Sequence, residues 1–307
     1  MAATPAAAEQ SAASAAAKGR IAPLNVRVVD TTLPADARRA FVGKIEALVD
    51  RTLATPALAN PRGFSLTRSV AIRTPQEGLP RAHPARGEVV MIIQAIDLEH
   101  GAKPDATGAY MGRLEGPSLR FFVNDLMALY ANYSGGGDAA RDIQYLPLRM
   151  SMSQGFPVFQ VGVRDVILIG KPDRLPYVHV TKAQYLQAQV DETRATIAQM
   201  QGPPHPNIQA HLDRLTAELA ALGPGDRNAR ACVSSRVRVT FGDCAAPNAT
   251  FHVRPNVNYF DAGAPKGAVQ LVAISLPSER SIGHPLTPRL RAAAAALDYA
   301  AIQAGLD

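Results

Sequence analysis

The amino-acid sequence predicts an α+β protein. Its main features are a mainly antiparallel sheet, packed helices and an inserted antiparallel helical hairpin at about residues 181–222. Two observations predict this class. Helical segments stand beside runs of two to four strands and do not alternate with single strands, which is typical of α+β proteins. Two apolar stripes of helical spacing follow each other across a short Pro-rich turn, which predicts the hairpin.

The chain is predicted to begin with a tail, a strand and a helix. Residues 1–22 are rich in Ala and Ser and predict a disordered tether. Alternating apolar residues over 24–28 predict the first strand. Pro34 opens a helix, and its buried stripe includes Phe41 and Ile45.

Three further strands and a short helix complete the N-terminal part. Alternating or continuous apolar residues predict strands over 64–72, 89–93 and 119–123. Asn124 is predicted to cap a short helix that runs through Tyr130.

A glycine-rich joint divides the chain. Residues 134–138 read Ser-Gly-Gly-Gly-Asp and mark the best internal boundary. The predicted parts are therefore 23–133, a helix on a sheet, and 139–307, which contains the hairpin and a C-terminal helix. The sequence leaves open whether the two parts form one domain.

Strand patterns resume beyond the joint, at 146–152, 156–163, 166–169, 177–180, 237–241, 251–253 and 269–274. Thr287, as a cap, and Pro288, at the first helical position, predict the C-terminal helix. Its inward positions are Leu290, Leu297 and Ala301.

The hairpin is predicted from two stripes with spacings of three and four residues. The stripes are Leu186, Val190, Thr193, Ile197 and Met200, then Ile208, Leu212, Leu215, Leu219 and Leu222. Thr181 and Gln184 have the spacing of a capping box, and Asn207 is predicted to cap the second helix. A seam this narrow suits two arrangements, a hairpin docked on the sheet and a projecting arm that contacts a partner protein.

Composition argues against two classes of function. The net charge is +6, but the 26 arginines are scattered, tryptophan is absent and aromatic residues make up 6%, so a nucleic-acid function is not favoured. No run of about 18 apolar residues is present, so no membrane span is predicted.

The two cysteines favour an oxidising compartment. Cys232 and Cys244 are close enough in sequence to close a small loop, and such a disulfide stabilises a protein by about 3 kcal/mol. We therefore expect a periplasmic or secreted protein, with the Ala/Ser-rich tail being what remains after removal of a signal peptide. The alternative is a cytoplasmic protein with two free thiols.

Familiar catalytic patterns are missing from the sequence. It contains no HExxH, GxSxG or phosphate-loop motif and no Cys-x-x-Cys, so we predict no cofactor and no metal site. His252 lies in an apolar strand, where a structural role is favoured over a catalytic one.

One segment is unusually rich in groups that bind ligands. Arg254, Asn256, Asn258, Tyr259 and Asp261 fall within eight residues between two strands. Their side chains suit a small polar ligand or a hard cation. Asn and Asp also form turns by bonding their own backbone, and this turn interpretation is the favoured one.

The expected function follows from these observations. We expect an exported bacterial protein without catalytic activity that binds or assembles through protein contacts of the hairpin. One alternative is a hydrolase whose acid and base, first of all His252 and Asp261, converge only in the fold. The other is ligand or cation binding at residues 254–261.

Overall fold

The computed structural model describes residues 10–29, 32–73, 84–113, 115–130, 143–146, 149–233, 241–246, 249–279 and 283–307. Within them, helices accompany a mostly antiparallel sheet, so the predicted α+β class is confirmed. The predicted joint at 134–138 lies outside the described residues, and so does the strand predicted over 237–241 except for its last residue.

The strands are β1 (Ile21–Val28), β2 (Phe64–Arg73), β3 (Arg86–Ala95), β4 (Ser118–Val123), β5 (Gln144–Leu146), β6 (Arg149–Ser153), β7 (Phe156–Val161), β8 (Arg164–Ile169), β9 (Tyr177–His179), β10 (Cys232–Val233), β11 (Thr250–Pro255) and β12 (Val272–Pro277). The helices are α1 (Ala12–Ala16), α2 (Ala35–Leu53), α3 (Lys182–Gln199), α4 (Pro206–Ala221), α5 (Pro224–Asn228), α6 (Thr287–Ala295) and α7 (Tyr299–Ala304), with a 3-10 turn at Leu126–Leu129.

The chain folds into two compact units that interleave in sequence. Unit 1 consists of Met1–Leu129, Arg149–Leu175 and Val257–Asp307. Unit 2 consists of Tyr130–Leu148 and Pro176–Asn256. The chain therefore passes from one unit to the other four times.

Unit 1 is built on an eight-stranded sheet in the order β1-β2-β3-β4-β12-β8-β7-β6. Strands β1 and β2 are parallel, and the other neighbouring pairs are antiparallel. Strand β12 lies between β4 and β8, so the late part of the chain completes a sheet begun by the early part. For this reason the compact units do not follow the predicted division into 23–133 and 139–307.

Helices α2, α6 and α7 pack on one face of this sheet. Phe41 and Ile45 of α2 are fully buried in one apolar cluster with Leu290 of α6 and Tyr299 of α7. Gly87 on β3 lies directly beneath α2, because a Cβ atom there would come within 2.8 Å of the Cδ1 atom of Ile45. The missing side chain is what lets the helix approach the strand.

The N-terminal segment is ordered where the structure describes it. The tether predicted for residues 1–22 falls partly outside the described residues, which begin at Gln10. From there on the structure shows contacts with the rest of the chain, since the Gln10 amide donates to the carbonyl oxygen of Gly63 at 2.7 Å. The buried Ser14 hydroxyl, on α1, accepts the N–H of Leu98 at 3.0 Å. These long-range hydrogen bonds hold an Ala-rich segment that has little apolar surface of its own.

Asn124 has a different role from the predicted helix cap. It is buried with a φ of 54°, and its Nδ2 atom donates to the carbonyl oxygens of Ala85 and Ala268, both at 2.8 Å. Its Oδ1 atom accepts the N–H groups of Gln270 at 2.8 Å and Leu271 at 3.2 Å. One amide thus joins three chain segments, which no local sequence pattern encodes.

The C-terminal helix is interrupted. Asp298 begins a second helix, α7, by accepting the N–H of Ala301 at 2.9 Å. Leu290 and Leu297 are buried as predicted, but Ala301 is exposed. Thr287 lies inside α6, whose N-cap is Leu286.

Unit 2 is a smaller sheet centred on β11. Strands β5, β9 and β10 each pair with β11 in antiparallel fashion. The strand predicted over 146–152 is two strands, β5 in unit 2 and β6 in unit 1, and the residues between them lie outside the described part. Helices α3, α4 and α5 also belong to unit 2.

Candidate functional site

Helices α3 and α4 contact each other and form the most distinctive feature of unit 2. We call residues 182–221 the arm. The end of the arm nearest the sheet of unit 2, residues 182–190 and 215–221, is called the root. The buried side chains of the arm all lie at the root, and they are Tyr185, Leu186, Val190 and Leu215. With Val180 and Ala231 they form one apolar cluster. The root is therefore the part of the arm held by packing.

Polar contacts fix the root as well. Thr181 and Gln184 form the predicted capping box, in which each side-chain oxygen accepts the backbone N–H of the other residue. The ammonium of Lys182 binds the carboxylate of Asp226 at 2.7 Å. The backbone N–H of Lys182 donates to the carbonyl oxygen of Ala229 at 2.9 Å. The direction of the arm is thus set by contacts on two sides of its root.

The outer half of the arm, residues 191–214, has no buried residue. Its seam residues Thr193, Ile197, Ile208 and Leu212 are half-buried, as expected when each helix covers only the other. A helix of 18 residues is about 27 Å long, so the outer half spans a large part of that length. We call this half the outer arm.

The outward side chains of the arm are polar and pair with one another. The Gln187 amide donates to Asp191 at 2.8 Å, and the Gln209 amide donates to Asp213 at 2.9 Å. Such pairs one turn apart stabilise a helix by about 0.2–0.5 kcal/mol each and leave its surface solvated.

The start of α4 differs from the prediction. His205, not Asn207, is the N-cap, and its Nδ1 atom accepts the N–H of Asn207 at 3.2 Å. Pro206 occupies the first turn, where the N–H that proline lacks would have no helical partner. The helix therefore begins earlier than the Asn pattern indicates.

His252 lies beneath the root of the arm. It is fully buried on β11, and its ring is 4.2 Å from that of Tyr185 and 4.9 Å from that of Tyr145, measured between centroids. Its Nδ1 atom is 3.3 Å from the carbonyl oxygen of Ala231, and its Nε2 atom has no hydrogen-bond partner among the described residues. Burial lowers the pKa of His252 to about 4. The ring is a neutral packing element at neutral pH.

Tyr185 is the residue of the root that sequence reasoning missed. It precedes the seam residue Leu186 and contacts both His252 and Phe241, with ring centroids 4.2 Å and 5.8 Å apart. Burial raises its pKa above the usual range. The available signal was a large aromatic side chain in the first turn of a helix rich in Ala and Gln.

Cys232 and Cys244 lie at disulfide distance. Their Cα atoms are 5.3 Å apart, and Cys232 on β10 is fully buried. The pair joins the strand beside β11 to the segment at 241–246, in agreement with the predicted pairing.

The ligand-rich segment is divided between the two units. Arg254 is on β11, where its backbone pairs with that of Val178, and its Nε atom is buried without a hydrogen-bond partner among the described residues. The N–H of Asn256 donates to the carbonyl oxygen of Pro176 at 3.0 Å. Asn258 is exposed in the turn that follows, within unit 1.

Tyr259 anchors the turn in unit 1. It is fully buried, and its hydroxyl accepts the N–H of Lys171 at 2.9 Å and donates to the carbonyl oxygen of Gln270 at 3.2 Å. Burial raises its pKa to about 12. Both polar functions of the hydroxyl are used within the fold.

Asp261 is held by two cations of the chain. Lys171 binds its carboxylate, and the guanidinium of Arg174 donates to it at 3.0 Å. The hydrogen bond from Lys171 contributes most to a pKa of Asp261 below the usual range. His252 belongs to unit 2 and Asp261 to unit 1, and each has its neighbours within its own unit.

The described residues offer neither a metal-binding cluster nor a membrane-spanning helix. They contain no group of three or more His, Cys, Asp or Glu side chains arranged to hold a metal ion. Within the same residues, every helix is too short or too polar to cross a membrane.

Comparison with known proteins gives no indication of function. No known protein family, no curated protein and no solved structure matches the chain.

Proposed function

We propose that this chain is a binding or assembly protein that contacts a partner protein through the outer arm. The observation that carries the proposal is that residues 191–214 contain no buried side chain, although they form two regular helices. Two helical turns or more are thus held in place without covering any core.

The fixed root supports the same proposal. The capping box, the Lys182–Asp226 ion pair and the buried Tyr185 and Leu215 set the direction of the arm before any partner arrives. Holding a contact surface in its bound orientation reduces the entropy lost on association.

We further propose that the protein acts in an oxidising compartment, the periplasm or the extracellular space. The Cys232–Cys244 pair supports this, since disulfides persist mainly outside the reducing cytosol.

The two alternative functions receive less support. A general base must reach the proton that it removes, and His252 is buried and neutral. At the 254–261 segment, the Tyr259 hydroxyl and the Asp261 carboxylate are already bonded to the protein. A hydrolase and a ligand-binding turn therefore stay predictions of the sequence.

A short-arm variant tests the proposal. Residues 191–214 are replaced by a loop of about four Gly and Ser residues that joins Val190 to Leu215, the length of a tight helix–helix connection. The root is retained, so the variant is expected to keep a cooperative unfolding transition. Its helical circular dichroism signal per residue should fall only as far as the loss of the helical residues 191–199 and 206–214 requires.

Photo-crosslinking then locates the contact. A photoreactive amino acid is placed at Gln199, exposed on the arm, or at Glu46, exposed on α2 as a matched control. In cell-envelope extract we expect a protein adduct from Gln199 alone. Excess unlabelled intact protein should suppress the adduct, and excess short-arm variant should not. Equal adducts from both positions, or none from Gln199, would contradict a contact role for the arm.

A further inference from the structure

The face of the unit 1 sheet opposite its helices carries a second cluster of interest. On β4, β12 and β8 the side chains of Leu119, Ile274 and Ile167 point to the helical face. Because side chains alternate along a strand, residues one or three positions away point to the opposite face. Ser118 and Arg120 of β4, Ser275 of β12 and Arg164 of β8 lie there, on three adjacent strands.

Arg164 is a partly buried cation whose hydrogen-bond partners among the described residues are all neutral. Its Nε atom donates to the Ser275 hydroxyl at 2.7 Å, and one terminal nitrogen donates to the carbonyl oxygens of Ser275 and Ser118, both at 2.8 Å. The other terminal nitrogen is 3.4 Å from the Ser118 hydroxyl. In the described part of the chain, no carboxylate lies within 4.0 Å of this guanidinium. Removing a charge from water, even in part, without a counter-charge costs free energy, so the fold alone does not explain this arrangement.

Arg120 brings a second guanidinium to the same hydroxyl. Its Nε atom donates to Ser118 Oγ at 3.4 Å, so the serine oxygen accepts from two cations. Burial, together with the charge of Arg120, lowers the pKa of Arg164 to about 10. The fold therefore holds two guanidinium groups close together against their mutual repulsion.

The carboxylate nearest to Arg120 does not balance this charge. Glu88 is 3.5 Å from a terminal nitrogen of Arg120 and 3.1 Å from one of Arg73, which it also serves. Three guanidinium groups and one carboxylate leave a net charge of +2 on these four side chains. The Arg120 side chain is 41% exposed, so an ion from solvent reaches the cluster there.

We propose that Arg120, Arg164 and Ser118 bind a tetrahedral dianion, phosphate or sulfate, either free or as a group on a larger molecule. The charge of such an ion equals the excess of +2. Arg120 and the second terminal nitrogen of Arg164, the one near the Ser118 hydroxyl, still have N–H groups to donate. The planar guanidinium matches the oxygen spacing of phosphate. Ser118 accepts from both arginines, so its own hydroxyl proton is directed away from them and is available to the ion. This site is in unit 1 and does not depend on the arm.

Isothermal titration of the full chain tests the site. Sodium phosphate and sodium sulfate are titrated at constant ionic strength adjusted with sodium chloride. We expect one dianion per chain, and an affinity at least tenfold lower in Arg120→Gln, because a charge-assisted contact is lost. Ser118→Ala should bind several-fold more weakly. A phosphate monoester, titrated in parallel, reports the source of the group: tighter binding than inorganic phosphate indicates a larger ligand, and weaker binding indicates the free ion.

Two controls keep the result interpretable. Arg27→Gln removes an exposed arginine from the same face, on β1, and is expected to bind as the intact protein does. Arg120→Lys keeps the charge but not the planar donor set, and should lie between the intact protein and Arg120→Gln. Each variant is first compared with the intact protein by thermal unfolding without ligand. No measurable heat with either ion, or equal affinity in the intact protein and a folded Arg120→Gln, would overturn the proposal. An affinity that falls equally in Arg27→Gln would overturn it too, since it would reflect only general surface charge.

Discussion

His252 shows how one buried side chain makes the stability of this protein depend on pH. Its ring is packed between Tyr185 and Tyr145, and its pKa is about 4 in the folded state against 6.5 for an ordinary histidine. The folded state thus favours the neutral ring, and the unfolded chain binds a proton first as the pH falls.

We expect the free energy of unfolding to fall as the pH decreases from 6.5 to about 4, by up to about 3 kcal/mol from this residue. The contribution is fully present above pH 6.5. In His252→Phe, which keeps a ring between the two tyrosines, this part of the dependence should vanish. Urea unfolding followed by tyrosine fluorescence at a series of pH values measures both proteins. Parallel pH profiles for the two would contradict the assignment.

Single residues were predictable from sequence where the physics is local. The Thr181 capping box needs only a Thr and a Gln three residues apart, and it is present. Asparagine is a good helix cap, but neither Asn124 nor Asn207 is one here. Tertiary hydrogen bonds determine the role of Asn124. The preceding Pro206 determines that of Asn207, because it starts the helix earlier. Asp261 likewise meets Lys171 at a distance in sequence that no local pattern covers.

At the scale of elements, the arm combines a packed root with an outer half in which no side chain is buried. Leu215 at the root is fully buried, whereas Ile208 in the outer arm is half-buried. The spacing of apolar residues predicts a seam for both, since periodicity reports which residues face the sister helix. It does not report whether anything else covers them, which is why projection and docking were equally compatible with the sequence.

Two truncations in the same helix should separate the halves of the arm. Leu215→Ala removes a fully buried side chain and is expected to lower the free energy of unfolding by about 3 kcal/mol. Ile208→Ala removes a partly hydrated side chain and should cost about 1 kcal/mol or less. Urea denaturation of both variants provides the comparison. Equal losses would mean that the outer arm is supported as firmly as the root.

At the scale of the whole molecule, the order of strands departs from the order of the chain. Residue patterns located most strands, because alternation is a property of each segment. They did not reveal that β12 lies between β4 and β8, since pairing depends on contacts between distant segments. The glycine-rich joint at 134–138 therefore suggested two consecutive parts, whereas unit 1 is assembled from three segments.

This interleaving predicts that the first part of the chain does not fold alone. A fragment of residues 1–133 would lack β12, which pairs with β4, and helices α6 and α7, which complete its core. We expect its thermal denaturation, followed by far-UV circular dichroism, to show no cooperative transition, while the full chain shows one. A sharp transition with well-dispersed amide proton resonances in the fragment would refute this expectation.

The central position of β12 also determines when unit 1 matures. A ribosome makes β12 after both of its sheet neighbours, and the larger segment of unit 2, Pro176–Asn256, is synthesised between β8 and β12. Until β12 emerges, β4 and β8 each have an edge that lacks this partner, and such edges pair readily with other chains. Sheets closed by contacts so distant in sequence form slowly. The two edges that β12 later covers are therefore open to pairing with other chains until that strand has been made.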